Sequence, residues 1–183
     1  MLHDPANRLA SRGAVTLDGS GAIKPAHLSV LRQIYARLNE ADLNWAVTGS
    51  LCFALQGVPV SEVHDIDLQS DEAGVYDIER RFADYVTRKV AVWESRTIRS
   101  HFGVLLIDGV KVELMGEMAT RPAEDAAWGE PIDLNGIKRF VIVDDMRVPV
   151  IDLEHEYEAY LKMGRIEKAR LLRAWLDRPL ELP

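Results

Sequence analysis

Residues 45–69 read WAVTGSLCFALQGVPVSEVHDIDLQ, and this stretch decides which fold we expect for the chain. Leu43–Thr48 is a short apolar run that Gly49-Ser50 interrupts, which predicts a buried strand followed by a tight turn. The serine of that pair is a good N-cap, and the apolar residues after it predict a helix that ends at Gly57. A strand, a turn and a helix in this order indicate an α/β unit.

The next strand carries two acidic residues on one side. His64–Gln69 alternates with period two, so Ile66 and Leu68 face one way while Asp65 and Asp67 face the other. Carboxylates at positions i and i+2 of a strand have Cα atoms about 6 to 7 Å apart, and their oxygens can converge on one ion. Because two like charges this close need compensation and Mg2+ prefers hard oxygen ligands, the pair predicts a metal site.

A hairpin further along the chain offers a third carboxylate. Its arms are Phe102–Ile107 and Val110–Met115, joined by Asp108-Gly109, a strong hairpin dipeptide. Alternation in the second arm turns Glu113 away from the core. If this arm pairs beside the Asp-x-Asp strand, the three carboxylates can hold two ions about 3.5 to 4 Å apart, an arrangement suited to phosphoryl chemistry.

The Gly49-Ser50 turn predicts the other half of the site. Backbone N–H groups at the start of a helix are free and the helix dipole favours an anion, so a phosphate can bind there. Glycine lets the phosphate approach, and the serine adds a hydroxyl group.

The remaining pattern completes a mixed α/β (α+β) domain, in which a small mixed sheet is flanked by helices and a C-terminal helical appendage follows. We expect a loose arm over residues 1–24, a main domain over residues 25–151, and a helical segment over residues 152–183 that packs on the same domain. Further predicted helices are Pro25 to about Glu40, about Gly74 to Val86, Asp152 to about Met163, and Ile166 to Leu176. Further predicted strands are Lys89 to Thr97, Phe140 to Val143 and Val148 to Ile151, with an exposed loop over residues 118–135.

Composition limits the classes of function. A chain of 183 residues with 48% hydrophobic residues is long enough for one domain with an apolar core. Its net charge of -7 argues against generic binding to nucleic acids. The single cysteine, Cys52, cannot form an internal disulfide, which favours the cytoplasm, and no apolar run reaches the roughly 18 residues that span a bilayer.

The stretch over residues 45–69, followed by VKVELMG at residues 110–116, resembles the nucleotidyltransferase fold of the DNA polymerase beta superfamily. It is most similar to small bacterial members akin to lincosamide-type and minimal nucleotidyltransferases, over about residues 26–118. The resemblance implies that the Gly49-Ser50 turn holds a nucleoside triphosphate and that Asp65 and Asp67 bind two Mg2+ ions. It also implies that Glu113 binds the catalytic metal or helps to deprotonate the acceptor.

By the same resemblance, the reaction moves a nucleotidyl group from ATP, the expected donor, to a hydroxyl group of a small molecule. KMGRIEKA at residues 162–169 is similar to a basic motif of related transferases, which makes Lys162, Arg165 and Lys168 candidates for binding the nucleotide. The chain departs from the family pattern after the turn, where Leu51-Cys52-Phe53 replaces a stretch that contains arginine.

Other interpretations stay open at the level of sequence. A non-catalytic nucleotide-binding module, such as a component of a toxin-antitoxin or defence pair, would also suit a turn without a cation. Attachment of a nucleotide to a protein or an RNA end would keep the same chemistry with another acceptor. A His-Asp phosphohydrolase would need further histidine and aspartate ligands for its metal, and the chain has only five histidines. For single residues we expect a buried His64, an inert buried Cys52 and an ion pair between Lys111 and Glu113. At His101 we expect a solvated turn, with contact to the phosphates or the acceptor as the alternative.

Overall fold

The computed structural model describes residues 22–41 and 43–179, so the N-terminal arm predicted over residues 1–24 lies almost wholly outside them. Its helices are α1 (Pro25–Asn39), α2 (Gly49–Leu55), α3 (Glu72–Arg81), α4 (Leu134–Ile137), α5 (Leu153–Lys162) and α6 (Ile166–Leu176). Its strands are β1 (Trp45–Thr48), β2 (Ile66–Ser70), β3 (Val86–Glu94), β4 (Ile98–Ile107), β5 (Val110–Thr120), β6 (Lys138–Val143) and β7 (Met146–Ile151).

The strands form one mixed sheet in the order β3-β4-β5-β2-β1-β7-β6. The pairs β2–β5 and β1–β7 are parallel, and the other neighbours are antiparallel. This arrangement confirms the predicted fold class, a mixed sheet flanked by helices. None of the helices in the part of the chain that the structure describes is long and apolar enough to cross a membrane.

Local sequence explains where the helices begin and what they bury. Pro25 occupies the first turn of α1, where its missing N–H costs nothing. The side chain of Asp152 caps α5 by accepting hydrogen bonds from the amides of Glu154 and His155. The apolar stripe of α1 is fully buried in the core, through Val30, Leu31, Ile34 and Leu38.

Several predicted elements differ from the structure in their bounds or in their caps. The helix predicted from Gly74 to Val86 begins earlier, at Glu72 after the Asp71 cap, and ends earlier, at Arg81, because a 3-10 turn over Ala83–Tyr85 follows its C-cap. The strand predicted from Lys89 to Thr97 begins earlier and ends earlier, as β3. The prediction that Ser50 caps α2 is wrong, since the helix begins at Gly49 and Ser50 lies in its first turn.

The β4–β5 hairpin is longer than its apolar pattern predicts. The register shifts between Arg99 and His101, and Glu117 has φ +48°, yet pairing resumes and continues from Ile98 to Thr120. Backbone pairing survives such an irregularity although it shifts the alternation of side chains. Residues 118–120 therefore belong to β5 and not to the exposed loop predicted for residues 118–135.

Candidate active site

Parallel pairing of β2 with β5 brings the predicted acidic residues together. Asp67 and Glu113 are direct partners in the register of the two strands, and Asp65 lies just before β2. One carboxylate oxygen from each of Asp65, Asp67 and Glu113 lies within 4.8 Å of the others. We call these three residues the carboxylate cluster.

Three negative charges within the carboxylate cluster would repel one another. Burial, followed by the negative charges of Asp65 and Glu113, raises the pKa of Asp67 to about 7. Lys111 supplies partial compensation, because its Nζ lies 2.8 Å from Asp65 Oδ2 and 2.8 Å from Glu113 Oε1. Hydrogen bonds to Asp65 and then to Glu113 raise the pKa of Lys111. The predicted Lys111–Glu113 ion pair is confirmed.

The carboxylate cluster fits a divalent cation by its donors and by its charge. Three hard oxygen donors converge within reach of one ion, and one of them, Asp67, has a pKa raised by burial and then by the other two negative charges. A bound cation would reverse that effect, since a nearby positive charge favours the ionised carboxylate. The residues of the cluster therefore fit a divalent cation.

Gly49 lies against the carboxylate cluster at a position where a larger residue would not fit. Its φ of +68° belongs to the left-handed region, which favours glycine. A Cβ atom added at this position would collide with Oδ2 of Asp67. The absence of a side chain at Gly49 thus lets the start of α2 approach the carboxylate cluster.

A residue that sequence reasoning missed, Glu156 on α5, also contacts this turn. Its Oε1 accepts hydrogen bonds from Thr48 Oγ1 at 2.5 Å and from the Gly49 amide at 3.0 Å. Glu156 is only 3% exposed, and burial raises its pKa although the Thr48 and Gly49 hydrogen bonds oppose the rise. The Gly49 amide is therefore not free to bind a phosphate, contrary to the prediction from the sequence. Ser50 is half-buried in the first turn of α2.

The signal for Glu156 was present in the sequence. Leu153, Glu156 and Tyr160 follow one another at helical spacing, and all three are buried. An acidic residue on the apolar stripe of a helix calls for a buried partner, which the α2 turn provides.

Two basic residues of the C-terminal motif lie beside one aromatic ring, and the third, Lys162, lies elsewhere. Lys168 on α6 has its Nζ 5.5 Å from the ring centre of Tyr160, and its charge acts on Glu156. The Arg165 guanidinium lies 5.6 Å from the same ring centre. Lys162, the last residue of α5, instead lines a cavity together with Arg121. The structure brings Lys168, but not Lys162, close to Glu156.

Two expectations about histidines are wrong. His64 is exposed, because β2 begins only at Ile66 and the alternation does not reach back to it; its Nδ1 lies 3.7 Å from Glu62. His101 lies within β4 and not in a turn, with its Nδ1 3.1 Å from the Tyr76 hydroxyl. Cys52 is buried as expected, and burial raises the pKa of its thiol well above the usual value, so it is not a nucleophile.

Comparisons with known proteins agree with the fold. The crystal structure of a candidate nucleotidyltransferase from Thermotoga maritima has a TM-score of 0.75 and 57% identity, over 85% of this chain and 95% of that chain. The crystal structure of ANT(2'')-Ia in complex with adenylyl-2''-tobramycin has a TM-score of 0.55 at 14% identity, over 82% of this chain and 90% of that chain. A solution structure of ANT(2'')-Ia has a TM-score of 0.56 at 15% identity, over 82% and 84%. The two ANT(2'')-Ia structures support the fold alone.

No curated protein sequence matched the chain. The resemblance to the nucleotidyltransferase fold is confirmed, whereas the likeness to lincosamide-type and minimal members stays a prediction. A model of the aminoglycoside-2''-adenylyltransferase family matches residues 30–172. The chain therefore belongs to the aminoglycoside-2''-adenylyltransferase family, whose members are nucleotidyl-transferring enzymes.

Proposed function

We propose that this protein transfers a nucleoside monophosphate group from a nucleoside triphosphate, with ATP as the donor, to a hydroxyl group of a small-molecule acceptor. The observation that carries the proposal is the carboxylate cluster of Asp65, Asp67 and Glu113, directly beside the glycine that begins α2. Membership of an adenylyltransferase family supports the reaction class. We assign the reaction to the cytoplasm, in keeping with the single cysteine.

In this reaction the acceptor oxygen forms a bond to the α-phosphorus, and the bond from that phosphorus to the oxygen bridging the α- and β-phosphates breaks. Pyrophosphate leaves with the electron pair of the broken bond. The hydroxyl proton passes to a carboxylate oxygen of Glu113, which is 27% exposed and thus accessible to a substrate.

The carboxylate cluster would hold the metal. Asp65 and Asp67 would bind two Mg2+ ions and Glu113 would complete the ligand set, so that positive charge stabilises the attacking and departing oxygens. The chain's own contribution is to fix these oxygens through the β2–β5 register, in which Asp67 and Glu113 are partners.

The remaining residues would bind and orient the triphosphate. Because Glu156 already accepts from the Gly49 amide, Ser50 would donate to the phosphates, while Gly49 keeps the backbone close to the cluster. Lys162 and Lys168 stay candidates for neutralising phosphate charge. We propose that a main domain over residues 25–151 is followed by a helical segment over residues 152–183, and that this segment contributes Glu156 to the site.

Pyrophosphate release from ATP and Mg2+ by the D67N variant tests the proposal. Loss of the charge at position 67 should abolish release while the protein stays folded, because the side chain keeps its size. Asp144→Asn is a matched control, since Asp144 is an exposed carboxylate paired with Arg32. Turnover by D67N equal to that of the control would reject the assignment.

One observation favours a second candidate function, a non-catalytic nucleotide-binding module. Leu51, Cys52 and Phe53 are fully buried, so the residues after the Gly49-Ser50 turn supply no cation to a triphosphate. Calorimetry with ATP and Mg2+ separates the two functions, because binding without pyrophosphate release would support the module.

A further inference from the structure

A second group of metal-binding side chains lies away from the carboxylate cluster. One donor atom each from Glu72, His101 and Glu117 lies within 4.8 Å of the others. These residues belong to three elements, since Glu72 begins α3, His101 lies in β4 and Glu117 lies in β5. Glu117 follows Glu113 by four strand residues, or about 13 Å along β5, so this group is separate from the carboxylate cluster. We call Glu72, His101 and Glu117 the histidine centre.

An irregularity in the β4–β5 hairpin brings Glu117 to the face of the sheet that carries α3. His101 pairs with Gly116, and a Cβ atom at Gly116 would collide with Val75 of α3, so both strand positions face that helix. Regular alternation would turn the next residue, Glu117, to the opposite face. Its φ of +48° interrupts the alternation instead, and its carboxylate lies beside His101. Such irregularities re-aim single side chains within a sheet.

The three donors of the histidine centre surround a common point, and the histidine donates to neither carboxylate. Nε2 of His101 lies 3.8 Å from Glu72 Oε1 and 3.8 Å from Glu117 Oε2. An N–H group that donated to a carboxylate would lie only about 2.7 to 3.2 Å from its oxygen. A point equidistant from three donors at the observed separations is about 2.1 to 2.5 Å from each, close to the distance of about 2.0 to 2.2 Å at which Zn2+ binds nitrogen and oxygen.

The charge of the histidine centre also favours a cation. The side chains of Glu72 and Glu117 are exposed, and within residues 22–41 and 43–179 neither carboxylate has a lysine or arginine nitrogen within 4.0 Å. The carboxylate cluster differs in this respect, because Lys111 forms ion pairs with two of its members. Two carboxylates that converge on a histidine without a cationic partner attract a positive ion.

Tyr76 orients the histidine from outside the centre. Its hydroxyl oxygen lies 3.1 Å from Nδ1 of His101, and the two rings meet edge to face with their centres 5.5 Å apart. When Nδ1–H donates to that hydroxyl, Nε2 carries the lone pair that a metal ion needs. Histidines that bind metals almost always donate from the other ring nitrogen in this way.

We propose that the histidine centre binds Zn2+ or a similar transition-metal ion, at a site distinct from the Mg2+ site of the proposed function. An imidazole nitrogen suits such ions, whereas Mg2+ prefers oxygen ligands. Three protein ligands leave a fourth tetrahedral position for water or another ligand. The ion joins the start of α3 to both strands of the hairpin, so its binding stabilises the folded protein.

Titration of the purified protein with Zn2+ against a chromophoric chelator, in excess Mg2+, tests the proposal. We expect one Zn2+ bound per chain and a melting temperature that rises with Zn2+. His101→Gln and Glu117→Gln should each weaken binding by about 100-fold or more, because each removes a ligand, and Tyr76→Phe should weaken it by about tenfold. His64→Gln is the matched control, since His64 Nδ1 lies 3.7 Å from a single carboxylate, that of Glu62.

Several results would overturn the proposal. These are no Zn2+ binding, a melting temperature that Zn2+ leaves unchanged, or equal Zn2+ affinities of Glu117→Gln and the control. Should His101→Gln fail to fold, Glu117→Gln still decides, because the Glu117 side chain is 42% exposed. Loss of Zn2+ binding in D67N together with full binding by Glu117→Gln would assign the ion to the carboxylate cluster and also reject the proposal.

Discussion

Replacing Lys111 with methionine should strengthen the binding of a divalent cation in the absence of nucleotide. Its ammonium contacts Asp65 and Glu113 at 2.8 Å each, so a metal ion competes with it for oxygens of the carboxylate cluster. Methionine keeps most of the length of the side chain and removes the charge. A cation that binds the variant no longer has to break these two ion pairs.

The magnitude follows from the exposure of the pairs. Lys111 is 47% exposed, so each pair contributes only about 0.5 to 1 kcal/mol after screening by solvent. Two pairs amount to about 1 to 2 kcal/mol, which corresponds to a gain in metal affinity of about 5- to 30-fold. The same interactions stabilise the metal-free protein, so the variant should lose about the same free energy of unfolding when metal is chelated.

Titration of Mn2+, followed by electron paramagnetic resonance of the free ion, measures the affinity without nucleotide. Urea denaturation in a chelating buffer measures the free energy of unfolding. Lys24→Met is the control, since Lys24 forms an exposed ion pair with Glu62. Equal Mn2+ affinities in the two variants would refute the reasoning about competition. Absence of Mn2+ binding in every form would instead reject the metal site itself.

Three further predictions concern the same site. Gly49→Ala should destabilise the fold and abolish turnover, because the added Cβ would collide with Asp67. Gly109→Ala is the control: Gly109 has φ +79° and open space around it, so this variant should lose only about 1 kcal/mol of unfolding free energy. Similar losses for the two variants in urea denaturation would refute the steric argument. Glu156→Leu should cost about 2 to 3 kcal/mol, because it leaves two donors of the α2 turn unsatisfied, and Glu156→Gln should restore most of that stability in the same assay. Because the pKa of Asp67 is raised to about 7, its stabilising effect on the metal-free protein is greatest below the ordinary pKa of an aspartic acid and is lost as the pH rises through 7. Mn2+ affinity should accordingly fall between pH 8 and pH 6, and an equal affinity at both would contradict the shift.

Local patterns in the sequence predicted the parts of the site that depend on alternation. Polarity with period two placed Asp65 and Asp67 on one face and turned Glu113 away from the core, because side chains of a strand point to opposite faces in turn. The pairing of Asp67 with Glu113 needed more, since a parallel register between β2 and β5 joins residues that are distant in the chain. The resemblance to a known family supplied that step.

The errors have equally local causes. Alternation of polarity reaches back to His64 in the sequence and predicts that this residue is buried, although the strand begins only at Ile66. The pattern predicts that the β4–β5 hairpin ends at Met115, because the irregularity at Glu117 interrupts the alternation of side chains but not the pairing of the backbone. A pattern of side chains predicts a strand only as far as the alternation is regular.

Glu156 ties the C-terminal helices to the Gly49 turn beside the carboxylate cluster. The residues that form the carboxylate cluster lie on β2, just before β2 and on β5, whereas Lys162 lies at the end of α5, which follows Glu156 by less than two helical turns. The contact of Glu156 with Gly49 fixes that helix relative to the cluster and therefore fixes where Lys162 lies.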